Sequence, residues 1–138
     1  MNKPTLSDKI SRFSLNLKYE QIPKEIVSYA KLLLIDSIGC AIAAIGEDHS
    51  QRIFSVLSKK HSAEEASLWG SKIKVDMDDA VLYNGALIHG LDYDDTRALG
   101  IVHPSSSVVT CGLTVGEALQ KNGRDVLTAM ICGYEVLL

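Results

Sequence analysis

The sequence is poor in the residues that mark several common classes of protein. It has three cysteines, three prolines and one tryptophan in 138 residues. Cys40, Cys111 and Cys132 are odd in number and form no C-x-x-C pair, which argues against a disulfide framework and against a zinc finger. Because free cysteines are usually buried, we expect three buried, reduced thiols.

Charged residues of either sign are also scarce. They make up 22% of the chain, with a formal net charge of -3, so there is no cationic excess to attract nucleic acid or an anionic membrane. The most apolar stretch, Leu32 to Ile45, is too short to span a bilayer and contains Asp36, so we predict a core helix buried between neighbours. Residues 1–9 resemble neither a signal peptide nor a transit peptide. We therefore expect a cytoplasmic protein with no nucleic-acid and no membrane partner.

The apolar residues that are present predict a mainly α fold. They make up, with tyrosine and cysteine, 46% of the chain, which is enough to bury a core in one folding unit. They recur at helical spacing in six segments, which begin near Ser7, Pro23, Asp48, Asp76, Ser105 and Asp125. Expected helix caps include Thr5 or Ser7, Asp48 or Ser50, and Ser105 or Ser106. Alternation around a Gly-Ser turn predicts at most a short β-hairpin near residues 66–75.

One connection between two predicted helices concentrates the chemistry. Three carboxylates, two imidazoles and several hydroxyls lie between residues 89 and 106, namely those of His89, Asp92, Asp94, Asp95, Thr96, His103, Ser105 and Ser106. Imidazoles and carboxylates are the usual groups for general acid–base catalysis. Pro104 favours an extended backbone at His103, and the free N–H groups of the helix that follows would attract a carboxylate or phosphate.

Structural interpretations of the same residues stay open at this point. Asp, Gly, Thr and Pro are common in turns, so the acidic loop can be purely structural. His89, among apolar neighbours, can be a hydrogen-bonded structural histidine. The loop is not an EF-hand, because Thr96 and Arg97 replace required positions and His103 stands where the bidentate Glu would be. We predict no metal site, although ligands from distant parts of the sequence would escape this reasoning.

Five motifs occur in an order that resembles the MmgE/PrpD family. They are Leu34-Ile35-Asp36-Ser37-Ile38-Gly39-Cys40, Asn84-Gly85, His89 through Thr96, His103-Pro104-Ser105 and Gly133-Tyr134-Glu135-Val136. The family includes 2-methylcitrate dehydratases, cis-aconitate decarboxylases and iminodisuccinate epimerases. The resemblance implies that residues 1–138 form a single, partial domain, the N-terminal part of a large all-helical domain without the family's α+β lid. It also implies a homodimer that needs no metal and no organic cofactor.

The resemblance implies roles for individual residues. Asp92, Thr96 and His103 match polar residues that line the family's substrate cleft. We expect His103 and Asp92 to be catalytic, and the residues that bind substrate to be Thr96, Ser105, His89, Asp94 and Asp95. The implied activity is that of a metal-independent lyase, such as a 2-methylcitrate dehydratase, that moves a proton next to a carboxylate of a small di- or tricarboxylate.

Alternatives to this activity are an epimerase or decarboxylase of the same family, and a non-catalytic helical module for dimerisation. The final predicted helix has no C-cap before Leu138. We therefore expect a truncated chain that is inactive by itself.

Overall fold

The computed structural model describes residues 3–60 and 63–138 and confirms a mainly α fold with one short hairpin. The elements in this part of the chain are α1 (Leu6–Asn16), α2 (Lys24–Ala44), α3 (Asp48–Leu57), β1 (Ala66–Ser67), β2 (Lys74–Val75), α4 (Met77–His89), α5 (Ser105–Ala118) and α6 (Gly123–Leu137). A 3-10 turn at Tyr19–Gln21 joins α1 to α2. The two strands are antiparallel, with Ala66 opposite Val75.

Local side-chain chemistry explains where two of the helices begin. Thr5 forms a capping box at the start of α1, and the Asp76 carboxylate accepts a backbone N–H in the first turn of α4. Both caps satisfy N–H groups that have no partner within the helix. Glu47 precedes α3 without a side-chain cap bond, so the predicted cap by Asp48 or Ser50 is wrong.

Helix α4 is the centre of the fold. It packs against α2, α3, α5 and the hairpin, and the side chains that it buries there are apolar over most of its length. The largest fully buried apolar side chains of the main cluster are those of Leu68, Val75, Tyr83, Leu87, Ile88, Val109 and Met130. Each such side chain contributes about 1.5–3 kcal/mol when it is removed from water. This core therefore holds α4 in place and sets the position of its C-terminal end.

Asn84 is a buried polar link between α4, the hairpin and α5. Its Oδ1 accepts a hydrogen bond from the Trp69 backbone N–H at 3.0 Å, and its Nδ2 donates to the Ser67 carbonyl at 3.0 Å and to the Thr114 hydroxyl at 3.1 Å. Its side chain is fully shielded from solvent. All three bonds therefore form where water cannot replace them, and they hold the hairpin against two helices.

Helix α2 differs from the sequence prediction. It is apolar nearly all round, yet its buried residues are mostly small, such as Ala30, Ala41 and Ala44, while Leu32, Ile35 and Ile42 are exposed. The prediction that neighbours bury this helix on all sides is wrong for the part of the chain described. Close packing of α2 against α4 selects small side chains on the contact face, and the larger ones lie on the opposite face.

By length and composition alone, α2 is apolar enough to cross a membrane. The helix has 21 residues. An 18-residue window within it has a mean hydropathy of 1.7, and 22% of that window is buried. Helices in the core of soluble proteins have the same length and composition. The expectation that the protein has no membrane partner therefore stays a prediction.

The three thiols are free, as expected, but they are not buried. Cys111 is exposed, and Cys40 and Cys132 are partly exposed. The expectation of three buried thiols is therefore wrong. Burial, followed by the nearby Asp36 and Asp94 carboxylates, raises the pKa of the Cys40 thiol, which keeps this sulfur in its less reactive protonated form.

We predict that Asn84→Ala lowers the free energy of unfolding by about 3 kcal/mol, because it leaves three hydrogen-bonding groups, two on the hairpin and one on α5, without this partner. Urea denaturation followed by circular dichroism measures the change. Asn16→Ala is the matched control: Asn16 is exposed and bonds only to the Arg12 carbonyl of its own helix, so a loss within about 0.5 kcal/mol is expected. Equal effects of the two substitutions would contradict the role of Asn84.

Candidate functional site

The site begins where α4 ends. His89 is the last residue of α4, and Gly90 allows the chain to pass close to α2 and α3: a Cβ at this position would lie 3.1 Å from the Ala44 Cβ and 2.5 Å from the His49 Nε2. Asp92 then adopts a left-handed backbone with φ of 56°, a conformation that Asp tolerates better than most residues. This tight turn brings the acidic residues back towards His89.

A buried carboxylate lies between two imidazoles. The Oδ1 of Asp94 is 3.1 Å from the Nδ1 of His89 and 3.1 Å from the Nδ1 of His103. The two rings lie edge to face, with their centroids 4.8 Å apart. For both contacts to be hydrogen bonds to an ionised carboxylate, each Nδ1 must carry a hydrogen. The acidic loop and the histidine before Pro104 therefore contact each other in the structure.

Asp92 and Thr96 lie on the outer side of the same cluster. The Oδ1 of Asp92 is 3.5 Å from the Nε2 of His103, and the Thr96 hydroxyl is 3.4 Å from its Nδ1. The Thr96 hydroxyl also donates to the Asp94 backbone carbonyl at 3.3 Å. His103 therefore lies close to Asp92, Asp94 and Thr96, all of which belong to the acidic loop.

Exposure changes steeply across the cluster. The side chain of Asp94 is 0% exposed and that of His103 is 24% exposed, whereas His89 and Asp92 are 52% and 78% exposed. The Oδ2 of Asp94 is buried and has no hydrogen-bond partner among residues 3–60 and 63–138. The cluster thus has the buried carboxylate of Asp94 at one end and the exposed side chains of His89 and Asp92 at the other, where a solute can reach it.

The six residues before His103 form a closed loop. Arg97 and Val102 pair as an antiparallel bridge, in which the Arg97 N–H donates to the Val102 carbonyl at 3.0 Å. Leu99 and Ile101 are strongly exposed at its tip. Because the bridge brings the two ends of the loop together, Thr96 and His103 meet although seven positions separate them.

Asp95 points away from this cluster and towards the start of α5. Its Oδ1 accepts the Ser105 N–H at 2.9 Å, and its Oδ2 accepts the Tyr134 hydroxyl at 3.0 Å. The Ser105 and Tyr134 hydroxyl oxygens lie 2.6 Å apart. Since the phenol has a single hydrogen and donates it to Asp95, the Ser105 hydroxyl donates to the Tyr134 oxygen.

This arrangement corrects the expected capping of α5. The N-cap residue is Pro104, without a side-chain cap bond, so the predicted cap by Ser105 or Ser106 is wrong. Asp95 instead supplies the negative charge at this helix terminus, where the helix dipole favours an anion. Ser105 is fully buried, and its N–H and hydroxyl are both bonded within the chain.

Tyr134 is the residue of the site whose role the sequence did not reveal. Burial is the main cause that raises the pKa of its phenol; the Ser105 hydrogen bond lowers it, and the Asp95 carboxylate raises it further. The phenol therefore remains a hydrogen donor. Its only signal in the sequence was its place in the Gly133–Val136 motif, which says nothing about a contact with Asp95.

The described residues include one group of side chains that is suited to a metal ion. His89, Asp92, Asp94 and His103 each offer one ligand atom, and these four atoms lie within 4.8 Å of one another. The sequence prediction of no metal site rested on the missing EF-hand pattern, and it did not consider this combination. The expectation that the protein needs no metal or organic cofactor stays a prediction.

We predict that Tyr134→Phe lowers the free energy of unfolding by about 1–2 kcal/mol, because it removes a hydrogen bond from the Asp95 carboxylate and leaves the Ser105 hydroxyl without an acceptor. Guanidinium denaturation of purified protein measures the loss. Tyr93→Phe, at a position that is 77% exposed, is the control and is expected to change stability by less than about 0.5 kcal/mol. A Tyr134→Phe protein as stable as the control would show that the three-residue network contributes nothing.

Comparisons with known proteins identify relatives of the whole chain. The cis-aconitate decarboxylase of Aspergillus terreus is 25% identical over 138 aligned positions, and the alignment covers 96% of this chain and 28% of that enzyme. The enzymes of the same name from Mus musculus and Homo sapiens are 26% and 29% identical, each over 87% of this chain. They are matched over 25% and 26% of their own lengths, so this chain spans less than a third of these relatives. The model of the MmgE/PrpD N-terminal domain matches residues 8–138, and the chain belongs to the MmgE/PrpD family.

Proposed function

We propose that this chain carries the acid–base part of the active site of a metal-independent lyase that acts on a small di- or tricarboxylate. The observation that carries the proposal is the position of His103, whose two ring nitrogens face two different carboxylates, the buried Asp94 at 3.1 Å and the exposed Asp92 at 3.5 Å. A buried carboxylate that orients an imidazole, whose other nitrogen lies on the exposed side of the cluster, is a common arrangement for a general base or acid.

His103 is the proposed acid–base group, and its neighbours set its orientation. With the Nδ1 hydrogen directed at Asp94, the Nε2 lone pair faces the open side, where it can take a proton from a carbon next to a carboxylate or return one to it. Asp92 is proposed to hold the imidazolium that forms, and Asp94 fixes the tautomer. We propose that Thr96 donates to a substrate oxygen, which requires its hydroxyl to leave the Asp94 carbonyl.

Four of the residues expected to bind substrate, namely Ser105, Asp95, His89 and Asp94, take other roles in this proposal. Ser105 and Asp95 bond to each other and to Tyr134, so we propose that they position the start of α5, and with it His103. His89 is the second histidine that contacts the Asp94 carboxylate, and we propose that it helps to hold this carboxylate in place. Recognition of the substrate carboxylates is then assigned mainly to cationic groups outside the described residues.

Decarboxylation and dehydration are the reactions to test first. The relatives named above are cis-aconitate decarboxylases, which places decarboxylation ahead of dehydration in the proposal. In a decarboxylation the bond to the leaving CO₂ breaks, and the electron pair left on carbon takes up a proton. In a dehydration a base removes the proton and hydroxide leaves. Both reactions need one positioned proton-transfer group, the role proposed for His103.

We predict that His103→Ala lowers kcat by about 100-fold or more in a protein that contains these residues together with the rest of the family fold, because proton transfer by a positioned side chain contributes about that factor. Product formation from cis-aconitate and from 2-methylcitrate, followed by chromatography, measures it. His49→Ala, an exposed histidine beside Gly90, is the control and is expected to retain kcat. An unchanged kcat in His103→Ala rules out the role.

Residues 1–138 are proposed to be inactive by themselves, because they match only 28% of the length of the Aspergillus terreus enzyme and include few groups that can hold an anionic substrate. The expected result is no CO₂ release from cis-aconitate above the rate without protein, in buffer that contains EDTA. Heat-denatured chain is the control for non-specific release. Turnover that is abolished by His103→Ala in this chain would overturn the proposed inactivity, although it would support the proposed role of His103.

One observation favours a second function, a helical module that associates with protein. Tyr29, Leu32, Ile35 and Ile42 form an exposed apolar face on α2, and monomeric proteins seldom leave a large apolar patch uncovered. Homodimerisation, like a cytoplasmic location, is part of our proposal. Light scattering distinguishes the two functions when it is combined with the His103→Ala assay, since a pure interaction module loses nothing when the imidazole is removed.

A further inference from the structure

We propose that His89, Asp92, Asp94 and His103 form a binding site for a divalent transition-metal ion of the Zn²⁺ type. Binding itself does not depend on the proposed reaction. The consequence for activity does rest on it: an ion bound to the Nδ1 of His103 would replace the hydrogen bond to Asp94 that orients the ring for proton transfer at Nε2, so the metal would act as an inhibitor and not as a cofactor.

The spacing of the ligand atoms fits a tetrahedral site. Bonds of 2.0–2.1 Å from a tetrahedral metal to nitrogen or oxygen place neighbouring ligand atoms about 3.3 Å apart. The Asp94 Oδ1 lies 3.1 Å from the Nδ1 of both His89 and His103, so these two pairs of ligand atoms already have nearly this separation. The Asp92 carboxylate lies within 4.8 Å of the other ligand atoms, and it can close the remaining distance by side-chain rotation because it is exposed.

A second observation, independent of this spacing, points to a bound cation. Asp94 is 0% exposed at its side chain, and its Oδ2 is buried with no hydrogen-bond partner in the described part of the chain. A buried carboxylate is costly unless it is paired or coordinates a metal. Among the residues with known placement, no lysine or arginine forms an ion pair with Asp92 or Asp94, so the imidazoles alone offset two carboxylates.

The ligand types select the class of metal. Two imidazoles and two carboxylates suit Zn²⁺ and its transition-metal neighbours, whereas Mg²⁺ and Ca²⁺ prefer sites built from oxygen alone. The exposed faces of His89 and Asp92 give the ion a path from solvent. Asp94 at the buried end and His103 beside it would form the less accessible half of the coordination shell.

Isothermal titration of the EDTA-treated, dialysed protein with ZnCl₂ tests the site, with MgCl₂ as a second titrant. We expect one Zn²⁺ per chain and at least about 10-fold weaker binding in His89→Ala and in Asp92→Asn, since even outer-shell partners of a metal change affinity by about 10- to 100-fold. Asn is chosen at position 92 because it tolerates the left-handed backbone. Melting temperatures of the variants with and without ZnCl₂ identify any that fail to fold.

The controls are His49→Ala, Asp78→Asn and Cys111→Ser, which remove an exposed imidazole, carboxylate and thiol outside the cluster; unchanged affinity in all three supports the site. The proposal is overturned if Zn²⁺ does not bind, if His89→Ala and Asp92→Asn bind it as tightly as the unaltered protein, if Cys111→Ser abolishes binding, or if Mg²⁺ binds as tightly as Zn²⁺. Zn²⁺ binding in a protein that contains these residues together with the rest of the family fold, but turns over no polycarboxylate, would sink the proposed function and leave the metal site standing.

Discussion

The arrangement of the site depends on a single oxygen, the Oδ1 of Asp94, which both imidazoles share. One imidazole belongs to the last residue of α4 and the other lies two residues before α5, so the carboxylate links the ends of two helices whose packing is the most extensive in the fold. Low polarity around a buried carboxylate strengthens its interaction with both rings. Moving either helix end by more than a fraction of an ångström would break one of the two contacts, so core packing and site geometry constrain each other.

Adjacent residues of the loop divide two tasks between them. Asp94 faces the imidazoles, while Asp95 faces inwards to the N–H of Ser105 and the phenol of Tyr134. The second network joins the loop to α5 and α6, and it thereby holds His103, two residues before Ser105, in place.

Local features of this protein were predictable from its sequence, and contacts between distant segments were not. The hairpin, the Thr5 cap and the periods of six helices follow from neighbouring residues, and each was confirmed. The hydrogen bond from Tyr134 to Asp95 joins residues 39 positions apart, and no periodicity specifies such a pair. The failure at α2 has the same origin, because apolar spacing shows which residues can be buried but not which of them have neighbours.

The charges of the site explain why a proton, a metal ion and an anionic substrate would compete there. The sequence suggested one local attraction for an anion, the free N–H groups at the start of α5. In the structure Asp94 already lies against both imidazoles and Asp95 against the α5 N–H group. A polycarboxylate would therefore meet the carboxylates of Asp92 and Asp94 unless further cations lie opposite them, whereas a proton or a divalent cation is attracted by these residues as they stand. The charges of the cluster by themselves thus favour a cation over an anion, and the proposed recognition of an anionic substrate would require positive charge from other parts of the protein.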